Sequence, residues 1–190
     1  MKFFIGDKEE QLTKRLQGGD NTALKDFYSL YGGYLTGVCS RYISDDEDVK
    51  DVFQDALINI FSHIKDFKYR GAGSLQAWST RITVNQSLNF LRGKNKLETT
   101  ALVRDVADET EDRDPETEDI SPEVLHRLVR ELPTGYRTIF NLYVFENKSH
   151  KEIAELLGIK IDSSCSQFSR AKNLLAKMIT DYRKNKNNPR

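Results

Sequence analysis

The 190-residue sequence carries 29 Lys and Arg against 29 Asp and Glu, with 38% hydrophobic and 31% charged residues. That is a soluble globular composition, enough for one domain or two small ones. No run approaches the roughly 18 apolar residues of a spanning helix, and two cysteines, Cys39 and Cys165, exclude a disulfide framework or a four-thiolate zinc site.

The opening Met1-Lys2-Phe3-Phe4-Ile5 meets Gly6-Asp7 too soon for a signal h-region, so a cytoplasmic setting without direct membrane insertion is expected. The neutral total hides an asymmetry. Residues 98–123 hold eleven acids and two bases, a charge of −9, which leaves +9 on the rest. Two basic bodies joined by an acidic strip suggest a polyanionic partner and a disordered connection. An ordinary solubilising linker fits the same composition.

The hydrophobic period is helical nearly throughout. Leu24, Phe27, Tyr28, Tyr31, Leu35, Val38 and Tyr42 form one helix face, which Gly32, Gly33 and Gly37 weaken unless close packing or a break uses them. Ser44-Asp45-Asp46-Glu47 reads as a capping box ahead of the stripe Val49, Val52, Phe53, Ala56, Leu57, Ile60, Phe61 and Ile64. Residues 66–73 read as a loop broken by Gly71 and Gly73, with Ser74 as the cap of the next helix. That helix turns Leu75, Trp78, Ile82, Leu88 and Leu91 inward and ends near Arg92-Gly93.

Residues 97–120 lack a sustained period and read as the linker between domains at 8–96 and 121–183. Beyond it, Ser121-Pro122 caps a helix with Val124, Leu125, Leu128 and Leu132, and Pro133 stops it. Thr134 is the expected cap of a helix with Ile139, Phe140, Tyr143 and Val144. Ser149-His150-Lys151-Glu152 is a second capping box, its helix running through Leu157 to a Gly158-Ile159 turn. A last helix is expected from about residue 162 to 182, followed by a frayed basic tail. The expected fold is all-α, in two small helical domains.

From Ser149 onward the pattern is that of a helix-turn-helix. Ala154 is small where helices cross, and Gly158 supplies a left-handed corner. The second helix offers Ser163, Ser164, Ser166, Gln167, Arg170 and Lys172, residue types that can read base edges in a major groove or hold phosphates. Any antiparallel helix pair with a glycine turn shares the backbone pattern. Cys165 faces either core or groove, and as a lone thiol it is expected to be a small packing residue rather than a nucleophile.

In the first domain, Phe67, Lys68, Tyr69 and Arg70 interleave aromatic and basic side chains, as capture of a single strand requires. Arg81, Asn85, Asn89 and Arg92 follow at helical steps and can lie along a DNA backbone, although a solvated face has the same pattern. Trp78 reads as core. Asp51, Gln54 and Asp55 form a polar helix face. His63, His126 and His150 lack ligand spacing, and no catalytic set, metal-ligand set or phosphate loop is apparent, so neither an enzyme nor a cofactor is expected.

Two blocks of the chain carry a resemblance. Residues 48–56, the loop 67–73, Ala77-Trp78 and Arg81-Ile82-Thr83-Val84-Asn85 resemble the second region of extracytoplasmic-function (ECF) sigma factors. Leu132-Pro133-Thr134-Gly135-Tyr136-Arg137, residues 149–158 and Ser166-Gln167-Phe168-Ser169-Arg170-Ala171-Lys172 resemble their fourth region. The resemblance implies a bacterial factor that binds core RNA polymerase, recognises promoter DNA and assists its melting. Asp51, Gln54 and Asp55 would then meet the polymerase clamp helices. The loop 67–73 would hold a base flipped from the minus-ten element, and Arg81, Asn85, Asn89 and Arg92 would contact that element's upstream edge. Residues 163–172 would enter the major groove at the minus-thirty-five element, while the acidic linker would run near the RNA path.

Family members are commonly held inactive by an anti-sigma factor, often membrane-anchored, and the free protein is expected to be a monomer. Ser164 and Cys165 stand where the family often has an aliphatic residue and a lysine, and Gln167 replaces a frequent arginine. Two other readings fit parts of the chain. A regulator that binds duplex DNA without polymerase accounts for the helix-turn-helix but not for the Asp51–Asp55 face. A helical adaptor would use both polar faces for protein contacts and bind no DNA.

Overall fold

Apolar residues recurring every three or four positions fold the chain into helices. The computed structural model describes residues 3–94 and 115–187, and no strand occurs among them. The helices are α1 (Phe3–Gln17), α2 (Asn21–Tyr42), α3 (Asp46–His63), α4 (Ser74–Gly93), α5 (Pro122–Glu131), α6 (Thr134–Val144), α7 (His150–Leu157) and α8 (Ile161–Asn187). A single 3-10 turn, Ile64–Asp66, follows α3. The chain divides into two units near residue 90, the first built on α1–α4 and the second on α5–α8.

In the first unit, α1 places Leu12 and Leu16 in the core, an element that the hydrophobic pattern had not suggested. Asp20 caps α2 by accepting from the Thr22 amide at 2.8 Å, and its carboxyl is held at about 2 by hydrogen bonds from Thr22 and Arg15. The α2 helix passes unbroken through Gly32, Gly33 and Gly37, so of the two uses open to these glycines a local break is not the one taken. Cys39 is buried there, and burial pushes its thiol up to about 11, which leaves it unreactive at neutral pH.

The α3 cap lies one residue later than expected. Asp45, not Ser44, accepts from the Glu47 and Asp48 amides, both at 3.0 Å, because one carboxylate oxygen can serve two free donors of the first turn. The predicted stripe then turns inward: Val49, Val52, Phe53, Ala56 and Ile60 are buried. In α4, Leu75, Leu88 and Leu91 are buried with the small residues Ser79, Thr83 and Ser87, whereas Trp78 and Ile82 are half-buried.

The second unit packs Leu128, Val129 and Leu132 of the α5 segment against Tyr136 and Phe140 of α6 and Ala171, Leu175 and Ile179 of α8. Ile120 joins this core, and Arg183 donates to the Asp119 carboxylate, its Nε at 3.0 Å from Oδ2. Most of the expected linker lies outside the described residues, but its end is thus fastened to α8. The tail expected to fray from Arg183 stays helical through Asn187.

Ser121 caps α5, its hydroxyl accepting from Val124 at 3.4 Å. Thr134 is not a cap; it is the first residue of α6, whose N-cap position falls on Pro133 without a side-chain bond. Residues 135–142 of α6 are buried, Arg137 included. Its Nη1 donates to the Arg130 carbonyl in the last turn of α5, one of the acceptors a helix end leaves unsatisfied. Burial pushes the guanidinium down to about 10, which keeps it charged at neutral pH.

Candidate polymerase and nucleic-acid interfaces

On α3, Asp51, Gln54 and Asp55 are exposed and share one side through their three- and four-residue spacing. Ile58 continues that side one turn on and is 63% exposed. Asp55 Oδ2 accepts from Gln86 Nε2 at 3.4 Å, and Asn59 donates to Gln86 Oε1 at 3.1 Å, so the face is braced against α4. An acidic face with an apolar end suits a protein partner with a basic rim.

The loop after the 3-10 turn divides its residues. Phe67 is buried, its ring 4.9 Å from Trp78 at an interplanar angle of 38°, so it does not stand open as a stacking surface. This departs from the sequence expectation: an aromatic next to a loop start has a core to fill before it has a ligand to meet. Lys68 and Arg70 are exposed, and Tyr69 is half-buried. Gly71 at φ +117° and Gly73 at φ +85° occupy left-handed backbone that other residues adopt only with strain.

Ser74 does not cap α4. Its hydroxyl accepts from the Arg70 amide at 3.2 Å inside the loop. The capping group comes instead from α1: Glu9 accepts from the Gly73 and Leu75 amides, both at 2.6 Å. Beyond the loop, Arg81, Asn85, Asn89 and Arg92 are all exposed along one side of α4, forming a stripe on the helix that the loop leads into.

The second unit contains the helix-turn-helix. Ser149 and Glu152 close both halves of the capping box at 2.8 and 3.3 Å, and Gly158 turns the corner at φ +68°. Rings fix the angle between α7 and α8: Tyr143 lies 4.7 Å from His150 and 4.3 Å from Phe168. Lys172 sits over the Phe168 ring at 5.5 Å.

Ser166 and Arg170 are exposed on α8, and Ser163 and Gln167 are half-exposed. Ser164 is a correction. It is fully buried, with its hydroxyl 3.0 Å from His150 Nδ1, so it packs the corner and is closed to DNA. Its position is the one where the resemblance expected an aliphatic residue. Of the two placements left open for Cys165, core or groove, the structure takes it out of the core: it is exposed. By helical phase it shares the outward side of α8 with Asp162, Ser166, Ser169, Arg170 and Asn173, of which only Ser166 and Arg170 had been singled out. The recurrence of polar residues at 162, 166, 169 and 173 was the available signal.

Residues 27–97 match the family described as Sigma-70 region 2, and residues 123–175 match Sigma-70, region 4. The ECF RNA polymerase sigma-E factor of Haemophilus influenzae is 29% identical over 182 residues, which cover 90% of this chain and 95% of that protein. The RNA polymerase sigma-H factor of Pseudomonas aeruginosa is 27% identical over 186 residues, covering 91% of this chain and 94% of its own length. Among solved structures, the sigma factor RpoE in complex with the anti-sigma factor NepR from Bartonella quintana aligns with a TM-score of 0.49 and 18% identity, over 82% of this chain and 96% of that one. With both family regions present in order and relatives matched over nearly their whole length, this chain belongs to the ECF subfamily of bacterial RNA polymerase sigma factors, which serve promoter recognition and transcription initiation.

Proposed function

We propose that the chain binds core RNA polymerase through the Asp51, Gln54 and Asp55 side of α3 and then reads promoter DNA with both units. Lys68, Tyr69 and Arg70 hold a nucleotide extracted from the minus-ten element, and the α4 stripe of Arg81, Asn85, Asn89 and Arg92 lies against its upstream edge. Phe67 acts as a buried support rather than a stacking ring. In the second unit, Ser163, Ser166, Gln167, Arg170 and Lys172 serve the minus-thirty-five element, joined by Cys165. The observation that carries this reading is the exposed loop of Lys68 and Arg70 leading directly into the polar stripe of α4. Base extraction costs a few kcal/mol in lost stacking, which loop cations and polymerase contacts together offset.

On this reading the working compartment is the cytoplasm, where polymerase and promoter are found. No helix among the described residues is long and apolar enough to cross a membrane. The free protein is a monomer, and an anti-sigma factor would act by covering the α3 and α8 surfaces.

Base readout is tested by selecting duplex sites with the holoenzyme. Gln pairs well with adenine and Arg with guanine, each good pair contributing about 1–3 kcal/mol of discrimination. Gln167→Arg is therefore expected to move preference from adenine toward guanine at a single base pair of the minus-thirty-five element. A selection profile identical to that of the parent would remove Gln167 from direct readout.

A further inference from the structure

The loop at 67–73 is held at both ends by one helix that the Sigma-70 region 2 match, beginning at residue 27, does not include. At the loop's start, Gln17 Nε2 donates to the Phe67 carbonyl at 2.7 Å and to the Ile64 carbonyl at 3.1 Å. At its end, the Glu9 carboxylate accepts from the Gly73 and Leu75 amides, one with each oxygen. Glu9 is 6% exposed, and the amides it meets belong to the unsatisfied first turn of α4. The two anchors are eight residues apart on α1, about 12 Å along the helix axis. Four hydrogen bonds from one rigid element thus set the span of the loop. Tyr31, half-buried on α2, has its phenol pushed up to about 12, by burial first and then by the Glu9 carboxylate and Tyr69.

We propose that α1 is a splint for the strand-capturing loop, with Glu9 and Gln17 as positioning residues that set its shape before DNA arrives. This rests on the reading of that loop as the minus-ten site. A loop of Lys68, Tyr69, Arg70 and two glycines in left-handed backbone has many alternative conformations, and a ligand that had to order it would bind more weakly. Fastening both ends removes that cost, and it fixes where the cations and the ring stand relative to the α4 stripe. Base discrimination therefore depends on two residues that need not touch DNA.

The test uses holoenzyme assembled with the full chain and the strongest single-stranded sequence selected from a random pool, labelled for fluorescence anisotropy. Gln17→Ala, at the half-buried end, is expected to weaken strand binding about fivefold, and Glu9→Gln about tenfold, in line with loss of ordinary and charged hydrogen bonds. Both variants should also narrow the ratio between the selected strand and one substituted at its most discriminating base. Affinity for core polymerase should be unchanged. Loss of thermal stability with parental strand affinity and base ratio would overturn the splint and leave α1 a packing helix. Should Glu9→Gln fail to fold, Gln17→Ala decides alone. A parent holoenzyme that holds no single strand would overturn the minus-ten reading itself, and the splint with it.

Discussion

Replacing Arg137 with alanine is expected to lower the stability of the second unit by about 2–4 kcal/mol. Two losses combine. Arg137 is 2% exposed and its guanidinium donates to the Arg130 carbonyl, so its removal strips the last turn of α5 of a charge-assisted partner. The side-chain stem also packs in the buried stretch 135–142 of α6, and truncation leaves a cavity. Arg137→Met separates the terms: it keeps most of the packing and should recover about half of the loss. Urea unfolding followed by circular dichroism gives both values. For a small helical body the full loss is a large share of the 5–15 kcal/mol typical of a domain, roughly the difference between folded and partly unfolded at growth temperature. A change below about 0.5 kcal/mol would place Arg137 among surface-like positions and contradict its burial.

Combining Asp51→Arg with Gln54→Ala is expected to weaken core polymerase binding by about 100-fold or more, since like charges brought together at an interface cost several kcal/mol. Both residues are exposed and outside the core, so folding should change by no more than about 0.5 kcal/mol. A fluorescence titration against core polymerase reads the affinity, and a melting curve checks the fold. Their neighbour Ile58, exposed and apolar, gives the face an end that can be desolvated while the acids steer approach. Parental affinity in the folded double variant would move the polymerase contact to another surface.

Much of the architecture was legible because it depends on local chemistry. The Ser149–Glu152 box, the Gly158 corner and the buried stripe of α3 each follow from residues within one or two turns of one another. Signals that depend on partners distant in sequence were not legible. Nothing near Ser74 announces that Glu9, more than sixty positions earlier, supplies the cap of α4. The outward phase of α8 is set by the packing of Phe168, Ala171 and Leu175, so Ser164 and Cys165, adjacent and similar in size, go opposite ways. Phe67 is the same kind of case: its ring satisfies a loop reading and a core reading equally until Trp78 is seen beside it. In each instance a short polar or aromatic residue had two acceptable environments, and tertiary packing chose between them.

The central claim, that this chain turns core polymerase into a promoter-specific enzyme, is tested most directly by transcription in vitro. Purified core is supplied with fragmented genomic DNA from the source organism, with and without the protein, and the transcript starts are mapped. The account predicts new starts that appear only with the protein, share a pair of upstream elements, and vanish when Asp51 and Gln54 are replaced. Starts that are the same with core alone, together with tight duplex binding by the isolated chain, would contradict it and leave a regulator that works without polymerase.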